Sequence, residues 1–277
     1  MNLTEILALW RTWQESQGLS QRTIEERASV IVRLIDFTHA EPLTITPIQI
    51  MAYVGQPTLS AVSRATYHAS IRAYCAWLVR TGQRVDDPSA QTPTPKRPRS
   101  TPRPVYDNQL ERMLEVVNRR RTRTMILLGA LAGMRVHEIA KFHGEDIDTT
   151  NQAITITGKG GVTEIIPAHE ILCDEAERYP RHDYWFPAYD LQTTAEHLTR
   201  QGVYAAIKSV MVRAEVPGTP HQLRHWYGTT LLENGTDIRV VQKLMRHASL
   251  DTTAIYTKVS LSRQREAIAS LTLPAAA

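Results

Sequence analysis

Apolar residues recur at helical spacing through the first part of the chain. In the first segment, leucine, isoleucine and tryptophan follow one another every three or four residues and stop before Gly18, which is typical of an amphipathic helix. Three further segments repeat this spacing. Their boundaries are marked by the capping-box sequence TIEE at residues 23–26, by Thr46 and Pro47, and by Gly82. The pattern predicts a four-helix domain of about 85 residues.

After residue 105 the pattern becomes mixed. Helices are predicted to begin near Asp107, Thr124, Pro220 and Asp237. Between them, AITITGKGGVTEIIP alternates apolar and polar residues, passes through glycines and alternates again. This pattern predicts a β-hairpin with Lys159 at or near its tip. The predicted fold class is therefore mainly α with a small β-sheet (α+β).

Composition narrows the class of protein. The chain has 277 residues, of which 42% are hydrophobic and 22% charged, and two domains are favoured over one. Cys75 and Cys173 are too few for a disulfide framework or a four-thiolate metal site. No apolar run approaches the roughly 20 residues that cross a bilayer, and acidic residues near the N-terminus do not fit a signal peptide. We expect a cytoplasmic protein without a membrane partner.

Positive charge is concentrated in one proline-rich segment. The net charge of +4 indicates a polyanionic partner only weakly, whereas residues 88–104 are basic and contain no acidic residue. This composition predicts an extended linker. Two interpretations are open: a solvated linker alone, or a basic strap that lies along phosphates. The basic residues of the strap are Lys96, Arg97, Arg99 and Arg103.

The helix after Pro220 carries the first candidate site. His221 and Arg224 are three residues apart and share one helix face, so both side chains can converge on one ligand such as a phosphate. His225 raises the alternative of a two-histidine metal site. Gln222 occupies the place where the zinc-hydrolase helix requires glutamate, and we predict that no metal is bound.

Arg135 ends the apolar segment GALAGMR, where burial of its charge is costly without an anion. Glu138 is one candidate anion, and the pair is then purely structural. Alternatively, Arg135 binds a phosphate and Glu138 orients it. Lys159 and Tyr256 also have two interpretations each, an ordinary surface or packing role or a role in chemistry.

Taken in order, these residues resemble the C-terminal signature of the tyrosine recombinase (phage integrase) family. That signature contains G-L/M-R-x-x-E, a hairpin lysine, H-x-L-R-H, and a histidine or tryptophan nine residues before a tyrosine. The chain has GMRVHEI, TGKGG, HQLRH, and His247 nine residues before Tyr256. The resemblance spans about residues 107–259. The sequence departs from the pattern at Arg246, where the family usually has glycine, and at Lys258, where histidine is common.

The resemblance implies a domain organisation. Residues 1–87 correspond to a helical, SAM-like core-binding domain, which the sequence resembles more loosely. Residues 88–104 are the linker, and residues 105–277 are the catalytic domain with a C-terminal tail that docks on a neighbouring protomer.

The resemblance also implies a reaction. Tyr256 attacks a DNA phosphodiester, and a 3′-phosphotyrosyl enzyme and a free 5′-hydroxyl result. Two arginines and a histidine bind the phosphate oxygens, and Lys159 is the general acid for the leaving oxygen. Neither ATP nor a metal or other cofactor is required. The implied catalytic residues are Arg135, Lys159, His221, Arg224, His247 and Tyr256, with Glu138 in support.

The implied partners are a double-stranded DNA core site, a homotetramer assembled on two sites, and a DNA-bending accessory protein. The implied location is the bacterial host cytoplasm or nucleoid. Because the helical domain begins almost at Met1, we expect no separate arm-binding domain, and we favour integration and excision by a phage or mobile element. The alternatives are a Xer-type resolvase of chromosome or plasmid dimers, a type IB topoisomerase, and a DNA-binding regulator that does not cut.

Overall fold

The computed structural model describes residues 1–98, 103–158, 161, 163–188 and 196–246. The chain divides into two compact units, Met1–Arg99 and Ser100–Ala277. Each unit has its own apolar core.

The first unit contains the four predicted helices. They are α1 (Leu3–Ser16), α2 (Gln21–Thr38), α3 (Pro47–Val54) and α4 (Ala61–Arg80). Trp10 and Tyr74 pack edge to face at the centre of the core, with ring centroids 5.1 Å apart. The unit therefore forms by burial of the apolar face that each helix presents.

The caps of this unit follow the sequence closely, with one exception. Thr46 caps α3 as predicted, since the Gln49 backbone N–H donates to its hydroxyl and the Gln49 side chain accepts from the Thr46 backbone N–H. The prediction from TIEE was wrong: α2 begins earlier, and Ser20 accepts the capping hydrogen bond from the Thr23 N–H. Serine caps as well as threonine does, so the two starts could not be separated by sequence.

The beginning of the proline-rich segment belongs structurally to the first unit. Residues Pro88–Gln91 form a 3-10 turn in which Ser89 is buried. The Thr92 hydroxyl lies 2.7 Å from Nε2 of His68 on α4. Lys96, Arg97 and Arg103 are exposed, while Arg99 lies outside the described residues.

The second unit is mixed, as predicted. Its helices are α5 (Asp107–Val116), α6 (Arg120–Leu131), α7 (Val136–Ala140), α8 (Glu170–Ala176), α9 (Arg200–Arg213), α10 (His221–Glu233) and α11 (Ile238–Leu244). Its strands are β1 (Ile147–Asp148), β2 (Ala153–Thr157) and β3 (Thr163–Pro167), which form one antiparallel sheet in the order β1-β2-β3. The predicted fold class, mainly α with a small sheet, is confirmed.

Strands β2 and β3 form the predicted hairpin, with Ala153 opposite Pro167 and Thr157 opposite Thr163. Strand β1 and helices α7, α8 and α9 were not predicted. Helix α9 has a recognisable signal, because Val203, Ile207 and Val210 recur at helical spacing and are all buried.

Three helix starts in this unit depart from prediction, because α6 begins at Arg120, four residues before the predicted Thr124, and two others differ by one residue. Asp107 is the first residue of α5 and not its cap, and its carboxylate accepts a hydrogen bond from the indole of Trp226 at 2.6 Å. Pro220 is the N-cap of α10, and Asp237 caps α11 as predicted. None of the helices in the described ranges is both long and apolar enough to cross a membrane.

Candidate active site

The site is built around the short connection between α6 and α7. Gly133 lies in this connection with a φ of +57°, and a Cβ there would approach the Tyr227 ring to 2.5 Å. Only glycine combines that backbone conformation with so close an approach. The turn places Arg135 at the N-cap of α7.

Arg135 is held by Glu138, one turn later on the same helix. One carboxylate oxygen of Glu138 accepts from the Arg135 backbone N–H at 2.7 Å, and the other accepts from its guanidinium at 2.9 Å. The Glu138 side chain is 1% exposed, whereas the Arg135 side chain is 33% exposed. Arg135 is therefore fixed in direction and still open to a ligand.

The charge of Glu138 is set by its neighbours. Burial by itself raises the pKa of Glu138, but the Arg246 guanidinium and the hydrogen bonds from Arg135 outweigh burial, so the pKa lies below its ordinary value. Glu138 is consequently a carboxylate at neutral pH.

Arg224 reaches the same connection from α10. Gly129 allows α6 and α10 to pack closely, because a Cβ there would lie 3.2 Å from the Leu223 side chain. Arg224 is 1% exposed, and its guanidinium donates hydrogen bonds to the backbone carbonyls of Gly133 and Met245. These contacts fix the guanidinium beside the turn that carries Arg135.

His221 lies one turn before Arg224 and is open to solvent. Loss of solvation beside the protein, followed by the positive charges of Arg224 and Arg135, lowers the pKa of His221. A neutral imidazole at this place is able to accept a proton near neutral pH.

His225 is the neighbour that raised the metal alternative. Its ring lies 4.7 Å from that of His221, at nearly a right angle. Burial, followed by the charges of His221 and Arg224, lowers the pKa of His225 to about 4. Among the residues that the structure describes, no group of three or more His, Cys, Asp or Glu side chains is placed to hold a metal ion.

Arg246 is the member of the site that sequence analysis missed. It follows α11, and its guanidinium donates to Glu138 at 2.9 Å and to the carbonyls of Gly133 and Ala132 at 3.2 and 3.3 Å. Its side chain is 4% exposed. The sequence contained one signal, an arginine at a position where the resembled family usually has glycine.

Two guanidiniums, those of Arg135 and Arg246, pair with the Glu138 carboxylate, and the Arg224 guanidinium binds the Gly133 carbonyl nearby. This group of side chains therefore carries net positive charge. Such a group favours an anion with several oxygens, because guanidinium N–H groups match that geometry. Of the predicted site residues, the structure brings Arg135, Glu138, His221 and Arg224 together. Lys159, His247 and Tyr256 lie outside the described residues.

The first unit has a basic feature of its own. A cleft of about 770 Å³ is lined by four arginines and two glutamates: Arg27, Arg33, Arg72, Arg97, Glu25 and Glu26. Arg33 lies over the Tyr67 ring, 4.7 Å from its centroid, and donates to the Tyr67 hydroxyl at 2.8 Å. Of these arginines only Arg97 was singled out from the sequence.

Comparison with known proteins identifies the family. A protein-family sequence model, described as the phage integrase family, matches residues 103–263, which are more than half of the chain. The chain belongs to the phage integrase family. This recombinase is 30% identical to the tyrosine recombinase XerA of Thermococcus kodakarensis over 270 residues, which are 95% of this chain and 94% of XerA. It is therefore a tyrosine-type site-specific recombinase.

Solved structures extend the comparison. The integrase from mycobacterium phage Brujita is 43% identical, with a TM-score of 0.52 over 95% of this recombinase and 91% of that chain. A lambda integrase tetramer bound to a Holliday junction is 17% identical, with a TM-score of 0.71 over 90% of this chain and 78% of that one. The second likeness concerns the fold alone.

Proposed function

We propose that this recombinase cuts and rejoins DNA at a core site through Tyr256, in the integration and excision of a phage or mobile element. The observation that carries this proposal is the convergence of Arg135 and Arg224 on the turn at Gly133, each with its guanidinium fixed by protein acceptors. Two fixed guanidiniums stabilise a phosphate whose charge increases in the transition state, without reorganisation during the reaction.

In the proposed reaction, the Tyr256 oxygen forms a bond to phosphorus and the bond from phosphorus to the 5′-oxygen breaks. His221 takes the tyrosine proton, and Lys159 gives a proton to the 5′-oxygen. Arg135, Arg224 and His247 bind the non-bridging oxygens, and Glu138 orients Arg135. The free 5′-hydroxyl of a second strand then attacks the phosphotyrosyl bond and releases Tyr256.

DNA binding is proposed for both units. In the first unit, the arginine-lined cleft and the exposed Lys96 and Arg97 support contacts with phosphates. Arg103 continues this basic segment into the second unit, and Arg99 is proposed to share in it. Because the solved lambda integrase is a tetramer on a Holliday junction, we propose a homotetramer on two DNA sites, docked through the segment after Tyr256. An accessory protein that bends DNA is proposed as a further partner.

The biological role is proposed from the degree of similarity. Identity is 43% to the integrase of a mycobacterium phage and 30% to XerA, over comparable shares of the chain. The higher identity favours integration over dimer resolution.

Covalent capture tests the chemistry. The protein is incubated in EDTA with a library of nicked duplexes that carry random core sequences, and denaturing gels are used to isolate protein–DNA adducts for sequencing. We expect adducts with wild type and with Tyr204→Phe, a matched change at a partly exposed tyrosine of α9, and none with Tyr256→Phe. A wild-type protein that retards DNA on native gels without forming an adduct would show a regulator that does not cut.

Recombination between captured sites tests the role. An integrase joins two different sites and produces hybrid sites, whereas a dimer resolvase acts on two copies of one site. Efficient exchange only between identical sites would replace the integrase proposal with the Xer-type alternative. Relaxation of supercoils without exchange would indicate topoisomerase activity.

A further inference from the structure

Arg246 has an unusual backbone conformation for its residue type. Its φ is +53°, in the left-handed region that is unfavourable for residues with a Cβ and is typical of glycine. A non-glycine residue persists there when the surrounding structure holds it in place. The contacts of the Arg246 side chain supply that restraint.

Those contacts join three parts of the second unit. Arg246 follows α11, Glu138 lies on α7, and the carbonyl of Gly133 lies in the connection between α6 and α7. Arg246 and Glu138 form an ion pair at 2.9 Å in which both side chains are almost completely buried. Such a pair has few alternative geometries, because any other arrangement leaves a buried charge unpaired.

Arg246 shares its two main acceptors with the two arginines proposed to bind phosphate. Glu138 accepts from Arg246 with one oxygen and from the Arg135 guanidinium with the other. The Gly133 carbonyl accepts from both Arg246 and Arg224. Arg246 therefore supports Arg135 through a carboxylate and Arg224 through a shared carbonyl.

We propose that Arg246 is a positioning residue for strand cleavage, which sets the spacing of the Arg135 and Arg224 guanidiniums by holding Glu138 and the Gly133 carbonyl in place. The inference rests on the proposed function, in which those guanidiniums bind the reacting phosphate. Because His247 follows directly in the sequence, the same contacts also restrain the point where the chain enters the segment that carries His247 and Tyr256.

The planar guanidinium is essential to this role. Arg246 reaches a carboxylate and two carbonyls at once, which the fork of an arginine permits and the point charge of a lysine does not. Arg246→Lys keeps the charge and removes the fork. Arg246→Gly removes the side chain and relieves the backbone strain, so the turn itself is retained.

The test compares these two variants with a matched control. Arg178→Lys alters another arginine that pairs with a buried carboxylate, Glu175 at 3.2 Å, away from the proposed site.

For each protein, single-turnover cleavage of a nicked core duplex is measured, together with the affinity for the same duplex and the melting temperature. We expect both Arg246 variants to cleave about ten- to hundredfold more slowly, since small misplacements of binding groups have such effects, with unchanged DNA affinity. The control is expected to cleave at the wild-type rate.

A readout without DNA separates positioning from general loss of structure. Loss of solvation, followed by the charges of Arg224 and Arg135, lowers the pKa of His221, so movement of either guanidinium away from the imidazole removes part of that lowering. NMR titration of His221 is expected to show the resulting rise in pKa in Arg246→Lys, in which the charge is kept, and not in Arg178→Lys. A lysine variant with wild-type cleavage and an unshifted His221 pKa would overturn the proposal, even if the glycine variant unfolds.

The same measurements distinguish the two proposals. A wild-type protein that forms no adduct on any duplex contradicts the proposed cutting function. In that case the His221 titration still decides whether Arg246 positions the two arginines.

Discussion

Glu138 accepts two hydrogen bonds from Arg135, one from the backbone N–H and one from the guanidinium. A single carboxylate thereby caps the short helix α7 and orients the side chain that we propose as a phosphate ligand. Stability and activity should therefore both depend on this residue.

Glu138→Gln should destabilise the second unit and slow cleavage. The change leaves buried Arg246 without its counter-charge, and breaking a buried ion pair costs about 3–5 kcal/mol. Loss of an orienting partner is expected to reduce the cleavage rate about 10- to 100-fold. Urea denaturation and single-turnover cleavage measure the two effects, with exposed Glu177→Gln as the control. Equal stability of Glu138→Gln and wild type at pH 7 would contradict the assigned pairing.

The stability that Glu138 contributes should depend on pH. Its pKa in the folded protein lies below the ordinary 4.5, so its contribution is fully present above about pH 4.5 and is lost as the pH falls through the folded value. The difference in unfolding free energy between wild type and Glu138→Gln should therefore be constant from pH 7 to 5 and shrink below pH 4. A difference that grows on acidification would show the opposite pKa shift.

His225 should destabilise the folded state in mild acid. Its pKa is lowered from 6.5 to about 4, so between these values the unfolded chain binds a proton that the folded chain does not. Stability therefore falls as the pH decreases from 6.5 towards 4. His225→Gln should show a weaker dependence over that window when urea denaturation is followed at pH 5 and pH 7. Identical slopes for the variant and wild type would be inconsistent with a half-buried, neutral His225.

Gly133→Ala should be more harmful than an alanine at another glycine with positive φ. At Gly133 the new Cβ meets the Tyr227 ring at 2.5 Å, whereas at Gly235, with a φ of +89°, nothing lies within 4 Å. Gly235→Ala is expected to cost about 1–2 kcal/mol from backbone strain alone. Gly133→Ala should exceed that value in urea denaturation and should also slow cleavage, because the turn positions Arg135. Equal costs at the two positions would argue against a steric requirement at Gly133.

The basic segment should determine the salt dependence of DNA binding. Lys96→Ala and Arg97→Ala each remove an exposed charge, and each should reduce the slope of log affinity against log salt by about one if the charge contacts a phosphate. Arg22→Ala serves as the control, since Arg22 is already paired with Glu26 on α2. Fluorescence anisotropy at several salt concentrations measures the slopes. Unchanged slopes for both variants would assign the segment the role of a solvated linker.

Most local structure in the described residues followed from sequence because its causes act within one or two helical turns. The cap of Thr46 by Gln49, the apolar face of α4 and the glycine that follows it, and the alternation of β2 and β3 all depend on neighbours a few residues away. Helix α9 was missed although its spacing carried the same signal. The start of α2 was misplaced because Ser20 and Thr23 are equivalent candidates in sequence.

The residues of the candidate site likewise separate into those that the sequence predicted and one that it did not. The Arg135–Glu138 pair and the shared face of His221 and Arg224 were predictable, because residues three apart on a helix are neighbours. The roles of Lys159, His247 and Tyr256 stay predictions from the family signature. That signature located the chemistry and marked Arg246 only as a departure from glycine, without indicating its contacts.

Only the tertiary structure determined how the arginines are held. Arg224 binds a carbonyl 91 residues away in sequence, and Arg246 pairs with a carboxylate 108 residues away. Contacts over such separations depend on how closely α6 and α10 pack and on where α11 ends, and both are properties of the assembled core. The sequence by itself determined the four helices of the first unit, the hairpin and the family of this recombinase, because local spacing and an ordered motif suffice for them. Only the fold decided that Arg246, at the position of the usual glycine, became a buried partner of Glu138. This pairing requires the end of α11, the connection between α6 and α7, and α7 itself to pack together.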